Sequence, residues 1–233
     1  MKFIFYSHFD YSDIWPILFG QCDKYLSDHK KVLFTNKGEA PSDWEVITYE
    51  DSLPYQMRVA SCLEQLEDEI IVFSHEDMFL YDEIDLSHIQ SFKNLVHSGK
   101  VDFIKLLRGG YTDEKRESGI HPYLLKCPPD MIFTIQPTIC KVKNLLTMYR
   151  DTPGDSIWSF ESNTAKTAKW QCFSGCMVYK EGDPKRGMHH WDSSVYPYFA
   201  TAIVKGKWYT SDYPHLRTLL KDYNIDVSLR GEV

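Results

Sequence analysis

Ile70-Ile71-Val72-Phe73-Ser74-His75-Glu76-Asp77 is the stretch on which the reading of this chain turns. Its apolar half is a continuous run rather than an alternation. That is the pattern of a strand covered on both faces, because alternate side chains point to opposite sides and neither side meets water. Strands of this kind belong to parallel α/β sheets, whose ligands bind beyond the carboxyl ends of the strands. Here the strand delivers a Glu-Asp pair to that place. Carboxylate oxygens suit hard divalent cations, which are commonly shared with substrate phosphates. Asp77, with Glu76 beside it, is therefore the first candidate for holding a metal against a diphosphate. A solvated turn is the plainer use of the same pair, and Asp82, Glu83 and Asp85 read as surface and capping residues.

Working outward, Lys2–Ser7 reads as a strand and Tyr11–Leu26 as a helix, with Ile14, Leu18, Cys22 and Leu26 along one face. Val32–Thr35 and Trp44–Tyr49 follow as strands. Asp51-Ser52 and Pro54 open a second helix with Val59, Cys62, Leu63 and Leu66 inward. A third helix runs through Ile89, Phe92 and Val96 to Gly99, and Val101–Leu107 is the next strand. This alternation predicts an α/β fold with a mainly parallel central sheet flanked by helices. In the second half, Arg108–Ile120 predicts a mobile loop and Pro137–Arg150 a helix. Thr152–Asp155 predicts a turn. Gln171–Tyr179 and Ala200–Tyr209 predict strands of a smaller sheet, and Leu216–Tyr223 a closing helix.

The 233 residues, 43% hydrophobic and 25% charged, are read as one domain, residues 1–110 forming a nucleotide-binding half and 111–233 an acceptor-binding half. A net charge of −7 argues against a broad nucleic-acid surface, which needs cations to neutralise phosphates. No run approaches the roughly 20 apolar residues of a membrane span. The start, Met1–His8, is too short an apolar run for a signal peptide. The expectation is a cytoplasmic protein whose six cysteines are reduced, buried thiols. Cys172 and Cys176 followed by His189-His190 lack the histidine separation of a zinc finger.

Four segments together resemble a family. They are Ser7-His8-Phe9-Asp10-Tyr11-Ser12-Asp13-Ile14-Trp15-Pro16; Glu76-Asp77-Met78-Phe79-Leu80; Gln136-Pro137-Thr138-Ile139 with Ile157-Trp158-Ser159-Phe160-Glu161 downstream; and Tyr198–Trp208. In order and spacing they are similar to small bacterial and viral proteins with the nucleotide-diphospho-sugar transferase (GT-A type) fold. The resemblance implies an inverting, metal-assisted glycosyltransferase of polysaccharide biosynthesis. Its partners would be a nucleoside-diphosphate sugar donor and a glycan acceptor. Glu76-Asp77 stands where the family has an Asp-x-Asp-like motif, and the missing second Asp is a departure that bears on metal use. The resemblance implies Mn²⁺ or Mg²⁺ at Asp77, Glu76 and His190, and donor contacts from Ser7, Asp13 and Trp158. Arg58, one turn into the helix before the buried strand, and Arg108, where a strand opens a Gly109-Gly110 loop, are read from their own positions as further donor contacts, with a solvated helix face and a plain loop as the alternatives. It makes Glu161 the catalytic base, with Asp155 as the alternative. Burial against aromatic rings would raise the Glu161 carboxyl and suit it to proton abstraction. A non-catalytic carbohydrate- or nucleotide-binding module, and a metal-dependent nucleotidyltransferase or phosphohydrolase, are the competing classes. Lys205 and Lys207 either touch phosphate or face water.

Overall fold

The computed structural model describes residues 1–67, 69–110, 114–186 and 189–233. Its centre is an eight-stranded sheet in the order β3-β2-β1-β4-β7-β5-β8-β6. The strands are β1 (Lys2–Tyr6), β2 (Lys31–Thr35), β3 (Trp44–Thr48), β4 (Ile70–His75), β5 (Phe103–Lys105), β6 (Leu124–Lys126), β7 (Thr138–Lys141) and β8 (Gly175–Val178). β1, β2, β3 and β4 are mutually parallel, and β5 and β8 run the same way, because β5 reverses β7, which itself reverses β4. Only β6 and β7 oppose the rest.

The period of two divides each central strand between two cores. Phe3, Phe5, Ile70 and Val72 enter one, and Ile4, Tyr6, Ile71 and Phe73 the other. The first core is closed by α1 (Trp15–Tyr25), α3 (Leu86–His97) and α6 (Leu216–Asp222). The second is closed by α2 (Tyr55–Leu63), α4 (Val142–Asp151) and α5 (Ile157–Lys166). All six residues of β4 are buried, as its uninterrupted apolar run requires. The small C-terminal sheet is two separate ribbons. One is β9 (Lys185–Arg186) with β10 (His190–Trp191), the other β11 (Ile203–Val204) with β12 (Lys207–Trp208).

Five sequence expectations change. Tyr11–Leu26 begins as a 3-10 turn over Phe9–Ile14, and the α-helix starts only at Trp15, with Pro16 in its first turn where the missing amide costs nothing. Pro137–Arg150 is not one helix: Thr138–Lys141 is a strand between β4 and β5, and the helix starts at Val142. Ile139 fits a helical stripe, but Ile139 and Cys140 enter opposite cores, which only a strand allows. Gln171–Tyr179 is a strand only from Gly175, preceded by a 3-10 turn over Ala168–Cys172. Cys172 is exposed, whereas the other five free thiols are buried. In the expected Arg108–Ile120 loop, Arg108 is buried and Gly109 bridges His190; Tyr111, Thr112 and Asp113 lie outside the described residues.

Helix α5 has no counterpart in the sequence reading. Its start is written by a reciprocal cap, in which the Ser156 hydroxyl accepts from the Ser159 amide and the Ser159 hydroxyl accepts from the Ser156 amide. Its seat is set by Gly154. A Cβ there would lie 2.5 Å from the Phe160 Cα and 2.7 Å from its amide nitrogen, and backbone cannot step aside. Gly154→Ala is therefore expected to cost about 1–3 kcal/mol. At roughly 2–4 °C per kcal/mol for a chain of this size, the melting temperature should fall by several degrees. A melting temperature equal to wild type would show that α5 shifts freely.

Candidate functional site

β1 and β4 are neighbours in register, Tyr6 opposite His75, so the chain leaves the sheet at Ser7 and at Glu76 side by side. The Glu76 amide donates to the Tyr6 carbonyl at 3.1 Å as the last rung. Beyond it, Met78 donates back to His75, and the Phe199 amide donates to the Phe79 carbonyl, so the acidic corner is braced from both sides. Glu76 is 7% exposed, and its Oε2 has no hydrogen-bond partner among the described residues. Burial pushes its carboxyl well above the usual range, and the neighbouring Asp77 charge adds to this. Burial likewise raises Asp77 to about 6, against the pull of its own amide, Arg230 and the Ile203 amide.

The ribbon β11–β12 meets this corner through the Ile203 amide, which bears on Asp77. Its two-residue turn, Lys205-Gly206, has φ of 50° and 78°. Such turns favour Asn-Gly, because an ordinary L residue in the left-handed region costs roughly 1–2 kcal/mol. Here a lysine bears that cost and carries a cation to the ribbon's tip. Between the ribbon and the 3-10 turn after β1 lies a cleft of about 660 Å³, lined among others by Phe9, Asp13, Lys205, Lys207, Leu229 and Arg230. The Arg230 guanidinium holds both carboxylate oxygens of Asp13, Nε to Oδ2 at 2.7 Å, and lies 4.5 Å from the Tyr11 ring centroid.

The remaining candidates are placed as follows. Ser7 is a correction: fully buried, it accepts from Trp15 Nε1 at 2.8 Å and gives its carbonyl to the Tyr49 hydroxyl. It ties the loop to α1 and β3 and has no surface for a ligand. Asp13 lines the cleft but is already paired with Arg230. Arg58 is held by the Leu53 carbonyl at 2.7 Å and by Asp51, which also meets His8 Nε2 at 2.9 Å. Arg108 lies over the Trp191 ring at 3.8 Å and beside Tyr179, away from the cleft lining. His190 stacks parallel to Tyr213 at 6.1 Å on β10. Among the described residues no three His, Cys, Asp or Glu side chains form a metal cluster, so His190 does not join Glu76 and Asp77 as a third ligand. His190 lies on the β9–β10 ribbon while the acids leave β4, and its Nε2, like Glu76 Oε2, is buried with no hydrogen-bond partner among the described residues. Two carboxylates still fit a hard cation that completes its shell with water and phosphate, and the unsatisfied Glu76 Oε2 is the atom such an ion would complete.

Glu161 lies on α5 and comes to the same edge of the sheet. Its Oε1 accepts from the Ile135 amide at 2.9 Å, three residues before β7 begins beside the carboxyl ends of β4 and β5. Burial raises its carboxyl, opposed by the Ile135 amide and the Lys105 charge. The expected aromatic setting is only half present. Phe160 is in the core, stacked on Tyr149 at 4.2 Å, whereas Trp158 is 73% exposed. Asp155 is exposed in the turn before the helix.

The topology has a counterpart among solved structures. It is similar to the crystal structure of residues 1–349 of S. aureus TarS, a wall teichoic acid glycosyltransferase, with a TM-score of 0.50 and 13% identity. The similarity covers 99% of this chain and 68% of that one. No protein-family model and no curated protein matches the sequence. No helix among the described residues is long and apolar enough to cross a membrane. Sequence reasoning did not single out Arg230, and its partner Asp13 lies 217 residues away, so nothing local marks it.

Proposed function

We propose that this chain is an inverting glycosyltransferase that moves a sugar from a nucleoside-diphosphate donor to a hydroxyl of a glycan acceptor. The observation that carries the reading is the buried Glu76 carboxylate with an unsatisfied oxygen, beside Asp77, at the carboxyl end of β4 in a glycosyltransferase-like fold. Asp77 and Glu76 would hold Mn²⁺ or Mg²⁺, whose chemistry there is to neutralise charge on the departing diphosphate. Lys205 and Lys207 offer further cationic donors along the cleft.

A single displacement needs a carboxylate across from the leaving group. Glu161 Oε1 is committed to the Ile135 amide, so Oε2 takes the acceptor hydroxyl's proton. The bond from the acceptor oxygen to the anomeric carbon forms as the bond from that carbon to the phosphate oxygen breaks. The proton stays on Glu161 until solvent removes it.

The test is a thermal-shift panel of nucleoside diphosphates and their sugars, with and without Mn²⁺. At a hundredfold excess over Kd a true donor adds about 2.7 kcal/mol, on the order of 5–10 °C here. No shift with any nucleotide would overturn the reading. Binding without slow release of free sugar would move it to a non-catalytic module.

A further inference from the structure

The chain has six tryptophans, and five are core residues: Trp15, Trp44, Trp170, Trp191 and Trp208 are each at most 7% exposed. Trp158 is 73% exposed. Its backbone is nonetheless fixed. It sits in the first turn of α5, behind the Ser156–Ser159 cap, on a helix anchored by the fully buried Phe160 and by Gly154 pressed against that residue. The indole is thus a large apolar plate presented on a rigid support.

Its neighbours on the helix surface are three and four residues further on, Glu161 and Ser162, and neither is apolar. A protein-docking patch extends its apolar area around an aromatic anchor. A single ring rimmed by short oxygen-bearing side chains fits a different ligand, one with an apolar face and hydroxyls at its edge. A pyranose is such a ligand: its axial C–H face lies on an aromatic ring while its hydroxyls bond to a polar rim. Glu161, one turn along the same helix, then stands beside whatever rests on the indole.

We propose that Trp158 is the floor of an acceptor subsite that stacks a neutral sugar ring one helical turn from Glu161. The role moves Trp158 from the donor side, where the family resemblance puts it, to the acceptor side. The proposal rests on the transferase reading for its purpose, but sugar stacking is measurable without turnover.

The experiment is acrylamide quenching of tryptophan fluorescence on the full chain, with cellotetraose, maltotetraose and chitotetraose as probes. The free protein should show one readily quenched, red-shifted component. At least one tetrasaccharide should protect it. Trp158→Ala should remove both the component and the protection, and Trp158→Phe should keep sugar binding. With an active donor, Trp158→Ala should raise the acceptor KM about two- to twelve-fold, the scale of one aromatic contact, and leave the donor-induced thermal shift unchanged. The proposal falls if no tetrasaccharide protects, if protection survives Trp158→Ala, or if the free protein has no quenchable component because something covers the indole. A retained donor shift alongside any of these results would sink this subsite alone. Loss of the donor shift as well would sink the transferase reading with it.

Discussion

Replacing Glu161 by glutamine is expected to lower sugar transfer by about 10²–10⁴-fold, the range for a lost general base, while fold and donor affinity hold. The substitution is close to silent structurally because the glutamine oxygen can still accept from the Ile135 amide. It also removes a charge that burial already disfavours. A Glu that only clamped the loop before β7 would behave in the opposite way. Its loss would show in the melting temperature, and the rate per folded molecule would stay near wild type. The acid side of the kcat/KM profile carries the same information. Burial raises the Glu161 carboxyl, so activity should fade with falling pH before the ordinary carboxylate range is reached, and in the glutamine variant only the limb owed to Asp77, raised to about 6, should remain. Full activity in Glu161→Gln would shift attention to Asp155. That residue is exposed in the turn before α5, without the burial that raises Glu161.

The second large effect is at Asp77, where binding and stability should move in opposite directions. Asp77→Asn is expected to weaken nucleotide affinity in Mn²⁺ by about 1–3 kcal/mol, the scale of a lost charged contact. Without ligand it should stabilise the protein. Burial holds Asp77 at about 6 and Glu76 higher still, so the folded chain binds more protons than the unfolded chain above about pH 4. The contribution of these carboxyls to stability therefore declines as pH rises through that window. Histidines pull the other way. His75, lowered by burial to about 3, and His29, His121, His190 and His215, also lowered, must stay neutral in the folded state. Their contribution declines as pH falls below the usual histidine range. The difference between wild type and Asp77→Asn isolates the carboxylate. That difference should grow between about pH 4 and pH 7 and shrink when Mn²⁺ is added. Unchanged nucleotide affinity, measured by calorimetry on folded protein, would remove Asp77 from the site.

What the linear chain determined on its own is the left half of the sheet and the acidic corner. Ile70–Phe73 is apolar without interruption because both its faces are covered, and that constraint is visible in one short window. The helices after β1, β3 and β4 announce themselves by periodicity and by local signals such as Pro16, Pro54 and the Asp85 cap. Glu76 and Asp77 follow from where such a strand must end.

Tertiary structure decided the rest. Thr138–Lys141 is a strand because β4 and β5 flank it with open hydrogen-bonding edges, and that pairing overrides the helical spacing Ile139 shares with the residues after it. Ser7 became a buried brace because Trp15 and Tyr49 converge on it from two other elements. His190 stayed apart from the acids because it belongs to the β9–β10 ribbon and not to the end of β4. Arg230 reached Asp13, and Glu161 reached the edge of the sheet, through contacts 217 and 26 residues long. Propensity, capping and periodicity act within a turn or two of the chain, so they specify elements. The meeting of charges across elements depends on how the two cores close around the sheet, and only the folded chain contains that information.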